Sequence, residues 1–327
     1  MNQCSPETAH RTAIASRGAK TIAMPGLIAT ITVTYQPDLE QLLRQLLCLP
    51  ENSFKVIVDN ASSPETRAAL SRCVKGVKNC TLIENPINVG LGQGLNQGID
   101  YVNKAAPHCE FVLLLDQDSE PQPGSIQCLT HALQQLRANG HELCAIGPLL
   151  CDADTHLTHG FHQMTWWRWK RTYPSVYQKV PIPVANLNGS GTLTTLSTFK
   201  QVGKLDAALF IDHIDTEWSF RLISNGGTLW GIPEAIFTHR MGQHGVRYWF
   251  LGWRVWPWRS ATRHFYLFRN TLWLMRRPYV PAVWKVWAAL KLLLTFLVFG
   301  IADSQRGTQL KNMWCGLKAG FHPPNAP

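Results

Sequence analysis

The stretch "FVLLLDQDSEP", residues 111–121, carries more information than any other in the chain. Five apolar residues in a row, without alternation, describe a strand buried on both faces, as in parallel sheets covered by helices. The run ends abruptly in Asp116 and Asp118, one residue apart. Two like charges this close raise the cost of ionising both. A divalent cation held by oxygen ligands, Mg2+ or Mn2+, removes that cost. Mg2+ usually completes its shell with water and substrate phosphates, so the pair also implies a phosphorylated substrate. From these residues alone, an exposed acidic turn after a strand is the plainer alternative.

The flanking sequence repeats the same grammar. "GLIATITVTY" (26–35), "FKVIVDN" (54–60) and "CTLIEN" (80–85) are further β-type runs. Between them "DLEQLLRQLLCL" (38–49) has helical periodicity with Asp38 as N-cap, and "SPETRAALSRCV" (63–74) starts with Ser63 as cap and Pro64 in the first turn. Residues 90–104 read as a helix despite their glycines, and "PGSIQCLTHALQQLRANG" (123–140) as another that stops at glycine. This β-α alternation predicts an α/β fold, a mostly parallel sheet with helices on both faces. In such sheets ligands sit beyond the carboxyl ends of the strands. Thr34-Tyr35, Asp59-Asn60 and Asp116/Asp118 are therefore expected in one crevice.

Other residues leave alternatives open. Asp59, at the end of "VIVD", suits either a contact to a base or ribose or a strand-terminal cap. Gly90, Gly92, Gly94 and Gly98 in "NPINVGLGQGLNQGI" (85–99) suit backbone approach to a phosphate or close packing of a helix on the sheet. Their spacing is not that of a dinucleotide site. "LFIDHIDTEWSFRLISNGG" (209–227) reads as a helix entered at Asp212 or Asp215; if it reaches back to Asp212, the two acids share a face. One of them suits a general base, and acids at a helix start are also favoured by the dipole. His239 follows "TLWGIPEAIFT", which reads as a strand pair, and suits a metal ligand or a structural histidine.

Composition sets the surroundings. The chain of 327 residues is 45% hydrophobic, enough for a sizeable core. Nine scattered cysteines without a CxxC pair point to reduced thiols, not a disulfide frame. Of the net charge of +10, about +12 lies after Glu234, where 13 Lys and Arg face a single acid, Asp303; the first 234 residues are about −2. Eight of the 13 tryptophans share that tail. Its longest apolar run, "LLLTFLVFGIA" (292–302), is shorter than a spanning helix requires, and Lys285 and Lys291 interrupt its extension backwards. A helix lying in a membrane interface with snorkelling lysines fits, and a buried core helix is the alternative. A basic protein of pI 9.3 can also bind nucleic acid, but here the cations sit among apolar runs and not in a solvated stripe, so no nucleic-acid partner is expected.

Taken in order, "VTYQP", "VIVDNASS", "NVGLGQGLNQGI", "LLLDQDSEP", "NGSGTLTTLSTFKQVGKLDAALFIDHIDTEWSFRL" and "RHFYLFRN" resemble the inverting glycosyltransferases of family 2, which have the GT-A fold, and most closely their bacterial rhamnosyltransferase branch. The resemblance runs from about residue 27 to 278. It implies a nucleotide-sugar donor, dTDP-L-rhamnose or otherwise a UDP-sugar for galactosyl, galactofuranosyl or glucosyl transfer. The acceptor would be a glycan or a lipid-diphosphate-linked saccharide, as in O-antigen and other cell-surface polysaccharide synthesis. Donor contacts would come from Thr34, Tyr35, Asp59, Asn88, Gly90, Gly94, Asp116 and Gln117. Metal ligands would be Asp116, Asp118 and His239, with Asp215 as base and Asp212, Glu217 and Trp218 on the acceptor side. The family's acceptor-site pair, commonly Glu-Asp, is Ile214-Asp215 here, so the glutamate is missing and the aspartate kept. The expected layout is a flexible extension (1–25), a GT-A domain (26–245) and an aromatic, basic helical region (246–327). The last would hold the enzyme peripherally on the inner face of the cytoplasmic membrane.

Overall fold

The computed structural model describes residues 27–153, 157–175, 177–239, 245–249 and 253–322, with backbone alone at 245–249 and 253–257. The expected extension at 1–25 lies outside the described residues. The first half follows the predicted alternation: β1 (Leu27–Thr34), α1 (Leu39–Cys48), β2 (Phe54–Asp59), α2 (Pro64–Lys75), β3 (Cys80–Glu84), α3 (Leu91–Ala105) and β4 (Cys109–Asp116). The caps are where side-chain chemistry puts them. The Asp38 carboxylate accepts from the N–H groups of Glu40 and Gln41, and the Ser63 hydroxyl from that of Thr66.

The chain continues with β5 (Ser119–Pro121), α4 (Ser125–Ala138), β6 (Cys144–Asp152), a hairpin of β7 (Phe161–Met164) and β8 (Trp169–Thr172), then β9 (Ile182–Pro183) and β10 (Leu193–Thr195). Next come α5 (Leu196–Val202), α6 (Ile214–Ser224), β11 (Thr228–His239), a second hairpin of β12 (Gly245–Trp249) and β13 (Trp253–Pro257), and helices α7 (Ala261–Met275), α8 (Ala282–Ala302) and α9 (Arg306–Gly320). The main sheet has the order β3-β2-β1-β4-β10-β6-β11-β5. Its β3-β2-β1-β4 half is parallel, β11 is parallel to β6, and the short β10 and β5 run antiparallel to their neighbours. The architecture is the mostly parallel α/β sheet that the sequence predicts.

Alternation along β4 sorts the core into two layers. Phe111, Leu113 and Leu115 pack with the apolar faces of α1, α2 and α4. Val112 and Leu114 pack with α3, α5 and α6 on the other side. A Cβ on Gly98 would stand 2.4 Å from Ile31 Cγ2 and one on Gly94 3.0 Å from Val33, so these glycines let α3 lie close on β1.

Two expectations need correction, and one alternative left open is decided. Residues 228–239 form one strand, not a pair. Pro233 offers no N–H, and the pairing with β6 slips between Ile232 and Ile236 without reversing. The region after 245 opens with a hairpin, not a helix, in keeping with the β-forming residues Val246, Tyr248, Trp253, Val255 and Trp256. Finally, α6 starts at Ile214 and does not reach Asp212. Phe210, Asp212 and His213 all have positive φ, and Asn270 Nδ2 holds that loop by donating to the carbonyls of Leu209, Ile211 and Asp212.

The C-terminal helices are packed onto the core. Trp273, Leu274, Trp284 and Ala288 belong to the same apolar cluster as α3 and α6. Gly316 of α9 lets that helix touch α7, since a Cβ there would meet Phe265 O at 2.4 Å. Along α8, Trp284, Ala288, Leu292, Thr295 and Phe299 face inward, whereas Val286, Trp287, Leu290, Leu293, Leu294, Leu297 and Ile301 are exposed. The stretch Ala282–Ile301 is long and apolar enough to cross a membrane by length and composition, and 28% of its most apolar window is covered by protein.

Candidate active site

The turn after β4 is gripped from beneath by two glutamines of α1. Gln45 Nε2 donates to the carbonyls of Asp116 and Ser119, both at 2.6 Å, and Gln41 Nε2 to that of Asp118 at 3.1 Å. Thr32 Oγ1 orients Gln45 by donating to its Oε1 at 2.9 Å. Gln41 and Gln45 stand beside Leu42 and Leu46 on the buried stripe of α1, which is the sequence signal that could have marked them. With the backbone fixed this way, the side chains of Asp116 and Asp118 project from the sheet end.

His239 is brought to them by strand pairing. It ends β11 opposite Ser119 of β5. Its Nε2 lies 3.3 Å from Asp116 Oδ2 and 3.2 Å from Asp118 Oδ1. One ligand atom from each of the three residues lies within 4.8 Å of the others, and all three side chains are partly accessible. Two carboxylate oxygens and one imidazole nitrogen at this spacing fit a divalent cation such as Mg2+ or Mn2+.

The loop 186–192 links this cluster to Asp215. Ser190 and Ser119 share a hydroxyl–hydroxyl hydrogen bond, and Gly191 N–H donates to Leu114 O at 2.8 Å. Next in that loop, Gly189 N–H donates to Asp215 Oδ2 at 3.2 Å, while Thr216 N–H donates to Asp215 Oδ1 at 2.8 Å. Burial pushes the Asp215 carboxyl up to about 6, and the negative charges of Asp116 and Asp212 add to the rise against the two backbone donors. Asp212 behaves oppositely. Burial alone would raise it, but its ion pairs with Arg259 and Arg263 hold it below the usual carboxylate range. His213, the residue before α6, is pushed down to about 4 by burial and is neutral, with Nε2 3.0 Å from Thr271 Oγ1.

The other expected site residues divide into those at the sheet end and those spent on structure. Tyr35 and Asn88 are exposed there and Gln117 partly so; Gln117 Oε1 accepts from Tyr35 N–H at 2.8 Å, and Asn88 Oδ1 accepts from Asn60 Nδ2 and from Gly90 N–H. Thr34, Asp59, Gly90 and Gly94 are buried. The Asp59 carboxylate is buried and accepts from Thr34 Oγ1, Ser62 Oγ and Ser62 N–H, the arrangement of a strand-terminal cap. Glu217 and Trp218 are not on an acceptor face. Glu217 is fully buried against Arg221, Arg277 and Tyr279, and Trp218 packs on Phe199 and donates from Nε1 to Gly203 O. Residues that the sequence did not single out are Asn186, Gly189, Ser190, Arg259 and Arg263.

Comparison with known proteins fits this picture. The profile of glycosyl transferase family 2 matches residues 28–202, which include Asp116 and Asp118 and stop short of Asp215 and His239. The dTDP-rhamnosyl transferase RfbF of Shigella flexneri is 28% identical over 256 residues, 78% of this chain and 81% of that protein. Among solved structures, GalNAc-T7 with UDP, GalNAc and Mn2+ superposes with a TM-score of 0.57 at 16% identity, over 90% of this chain and 56% of that one. The mannosyltransferase PcManGT of Pyrobaculum calidifontis, in complex with GDP-Man and Mn2+, superposes with a TM-score of 0.51 at 14% identity, over 90% and 85% of the two chains. At these identities the two structures establish a common fold.

Proposed function

The chain belongs to glycosyl transferase family 2, and from that premise we propose that it transfers L-rhamnose from dTDP-L-rhamnose, with inversion, to a glycan or lipid-linked acceptor in cell-surface polysaccharide synthesis. The observation that carries this reading is the placement of Asp215 one loop away from the Asp116–Asp118–His239 cluster, with its carboxyl at about 6. The choice of donor is supported by the similarity to RfbF.

In this mechanism Asp215 takes the proton of an acceptor hydroxyl. The acceptor oxygen bonds to the anomeric carbon from the face opposite the leaving group. The bond from that carbon to the diphosphate oxygen breaks, and the nucleoside diphosphate leaves with the electron pair. A positioned base typically contributes 10²–10⁴ in rate. Gly189 N–H and Thr216 N–H hold the carboxylate in one orientation while it accepts the proton. Asp116, Asp118 and His239 would hold a divalent cation, which when bound supplies positive charge to the departing diphosphate.

The test is incubation with a panel of dTDP-, UDP- and GDP-sugars and Mg2+ or Mn2+, reading which nucleoside diphosphate appears. Release of dTDP from dTDP-L-rhamnose is expected; release of UDP alone reassigns the donor, and no release from any donor refutes the transferase reading. The exposed apolar side of α8, on a C-terminal region with excess Lys and Arg, supports peripheral residence on an anionic membrane surface. Sedimentation with phosphatidylglycerol vesicles and release by high salt are expected, and a freely soluble protein at low salt counts against it.

A further inference from the structure

The β7–β8 hairpin carries two side chains that neither its turn nor the core explains. Met164 pairs with Trp169, and the next two residues close the turn. Thr165 N–H donates to Arg168 O at 2.9 Å, and Arg168 N–H to Thr165 Oγ1 at 3.1 Å. Trp166 and Trp167 are therefore the two residues of the loop. Loops of this length favour asparagine, aspartate and glycine, which turn tightly and are well hydrated. Two tryptophans meet neither need. Trp166 is 88% exposed and Trp167 57%. Their rings stand 6.1 Å apart, and the Arg168 guanidinium lies 5.4 Å from the centre of the Trp167 ring. Residues that break a local rule and stay apolar in water mark a contact surface.

The rest of the hairpin is tied to the fold. Trp169 of β8 meets Phe220 of α6 edge-on at 6.1 Å, and Phe220 meets Trp284 of α8 edge-on at 5.7 Å. On β7, His162 Nδ1 lies 3.3 Å from Asn186 Oδ1. Asn186 Nδ2 in turn donates to Thr216 Oγ1 at 3.0 Å, one residue beyond Asp215. The base of the hairpin is thus seated against α6, near both α8 and the Asp215 site, and the tip is left to solvent. The charge around the tip is of one sign. No acid occurs between Asp154 and Asp206. Arg168, Lys170 and Arg171 are exposed, and none forms an ion pair among the described residues. The neighbouring α8 carries Lys285 and Lys291, no acid, and the exposed apolar side described above. Indole rings among unpaired cations suit the boundary between water and an anionic bilayer, where the rings sit at headgroup depth and the cations meet lipid phosphates. A neutral glycan would use the rings and leave the cations unanswered.

We propose that the hairpin tip is a second membrane anchor, with Trp166 and Trp167 entering the headgroup layer of an anionic bilayer and Arg168 and Lys170 meeting its phosphates. This rests on the residence of α8 at such a surface and deepens it. A single anchor holds the enzyme near the bilayer. Two anchors on elements that both pack on Phe220 bind more tightly together than either alone and fix how the Asp215 cleft is turned toward the lipid.

The experiment is sedimentation of the full chain with vesicles of mixed phosphatidylglycerol and phosphatidylcholine, and with vesicles of phosphatidylcholine alone. The variant Trp166→Ser/Trp167→Ser alters exposed side chains and should fold, as circular dichroism would check. It is expected to bind the mixed vesicles about tenfold more weakly than the parent. Arg168→Gln/Lys170→Gln should lose about tenfold on the mixed vesicles and nothing on phosphatidylcholine alone. A second measurement reads insertion directly: lipids with brominated acyl chains should quench a larger share of tryptophan emission in the parent than in the double tryptophan variant. Equal vesicle binding by that variant and the parent, or equal quenching, overturns the hairpin anchor while leaving α8 at the surface. If the same variant also loses a saturation-transfer signal from free L-rhamnose, the two rings are a sugar platform instead. Absence of binding by the parent overturns both anchors. None of these measurements uses a nucleotide sugar, so they stand apart from the donor panel on which the transferase reading depends.

Discussion

Replacing Asp215 by asparagine should abolish turnover and, at the same time, reverse the sign of a stability difference with pH. The carboxyl stands at about 6 against an ordinary 3.8, and at about 1.36 kcal/mol per pH unit keeping it ionised costs the fold about 3 kcal/mol. Partial accessibility and screening reduce that to about 2 kcal/mol. Because the folded value lies above the unfolded one, the cost is absent below about pH 4, grows between about 4 and 6, and is fully present above. Asparagine removes the charge but has one carbonyl oxygen where the carboxylate has two. Gly189 N–H and Thr216 N–H therefore cannot both keep their acceptor, a loss of about 1 kcal/mol. Asp215→Asn should thus be less stable than the parent by about 1 kcal/mol near pH 4 and more stable by about 1 kcal/mol near pH 8. Denaturant melts at the two pH values measure this, alongside a sugar-transfer assay in which the rate falls 10²–10⁴-fold while donor binding is retained. Near-normal turnover would remove Asp215 from the role of base, and a stability difference of constant sign across that range would refute the argument from its environment.

Other outcomes follow from the same geometry. The rate of the parent enzyme should fall on acidification as Asp215 gains its proton, with the limb below 6 when a divalent ion is bound, because neutralising Asp116 removes one of the charges that raise it; a limb at or above 6 in saturating metal contradicts that account. Asp118→Ala should lose both the response to Mn2+ and at least 10²-fold in activity, with little change in melting because the side chain is partly exposed, and full activity of the parent in excess EDTA would exclude the metal role. Glu217→Gln should destabilise the protein by about 3 kcal/mol, because two guanidiniums and the Tyr279 hydroxyl converge on that buried carboxylate, while the KM for acceptor in the folded fraction stays unchanged; an altered KM would return Glu217 to the acceptor side.

What the sequence makes legible is whatever is encoded locally. The caps at Asp38 and Ser63, the apolar run into Asp116 and the alternation of strands and helices need no distant partner, and the structure reproduces them. What it conceals depends on residues far along the chain. A carboxylate at the end of β2 has the same local sequence whether it faces a ligand or a turn. The backbone at Ala61, with φ of 66°, folds Ser62 back onto Asp59, a contact that the local sequence does not announce. Glu217 looks like an ordinary first-turn acid until Arg277 and Tyr279, some sixty residues later, close over it. Residues 228–239 read as a strand pair, whereas β11 absorbs Pro233 as a slip in register because its pairing with β6 resumes at Ile236.

The crowding of acids around this site also separates their roles. Asp212, Asp215, Asp116 and Asp118 come close enough that Asp116 and Asp212 both raise Asp215. Each acid has a different source of compensation. Asp212 has two guanidiniums and is held ionised, so it is a poor proton acceptor near neutral pH. Asp116 and Asp118 face the His239 imidazole in an arrangement that a divalent cation completes. Asp215 has two backbone N–H donors and the distant Thr216 hydroxyl at 3.4 Å, too weak to offset its burial. Between the two aspartates beside α6, it is therefore Asp215 whose affinity for a proton rises toward neutrality, while that of Asp212 falls. If Arg259 and Arg263 were both neutralised by substitution, Asp212 would lose that distinction. The double variant should then show a second acidic group titrating upward, visible as a broadened acid limb in the pH–rate profile. An unchanged limb would mean that the guanidiniums do not set the difference between the two aspartates.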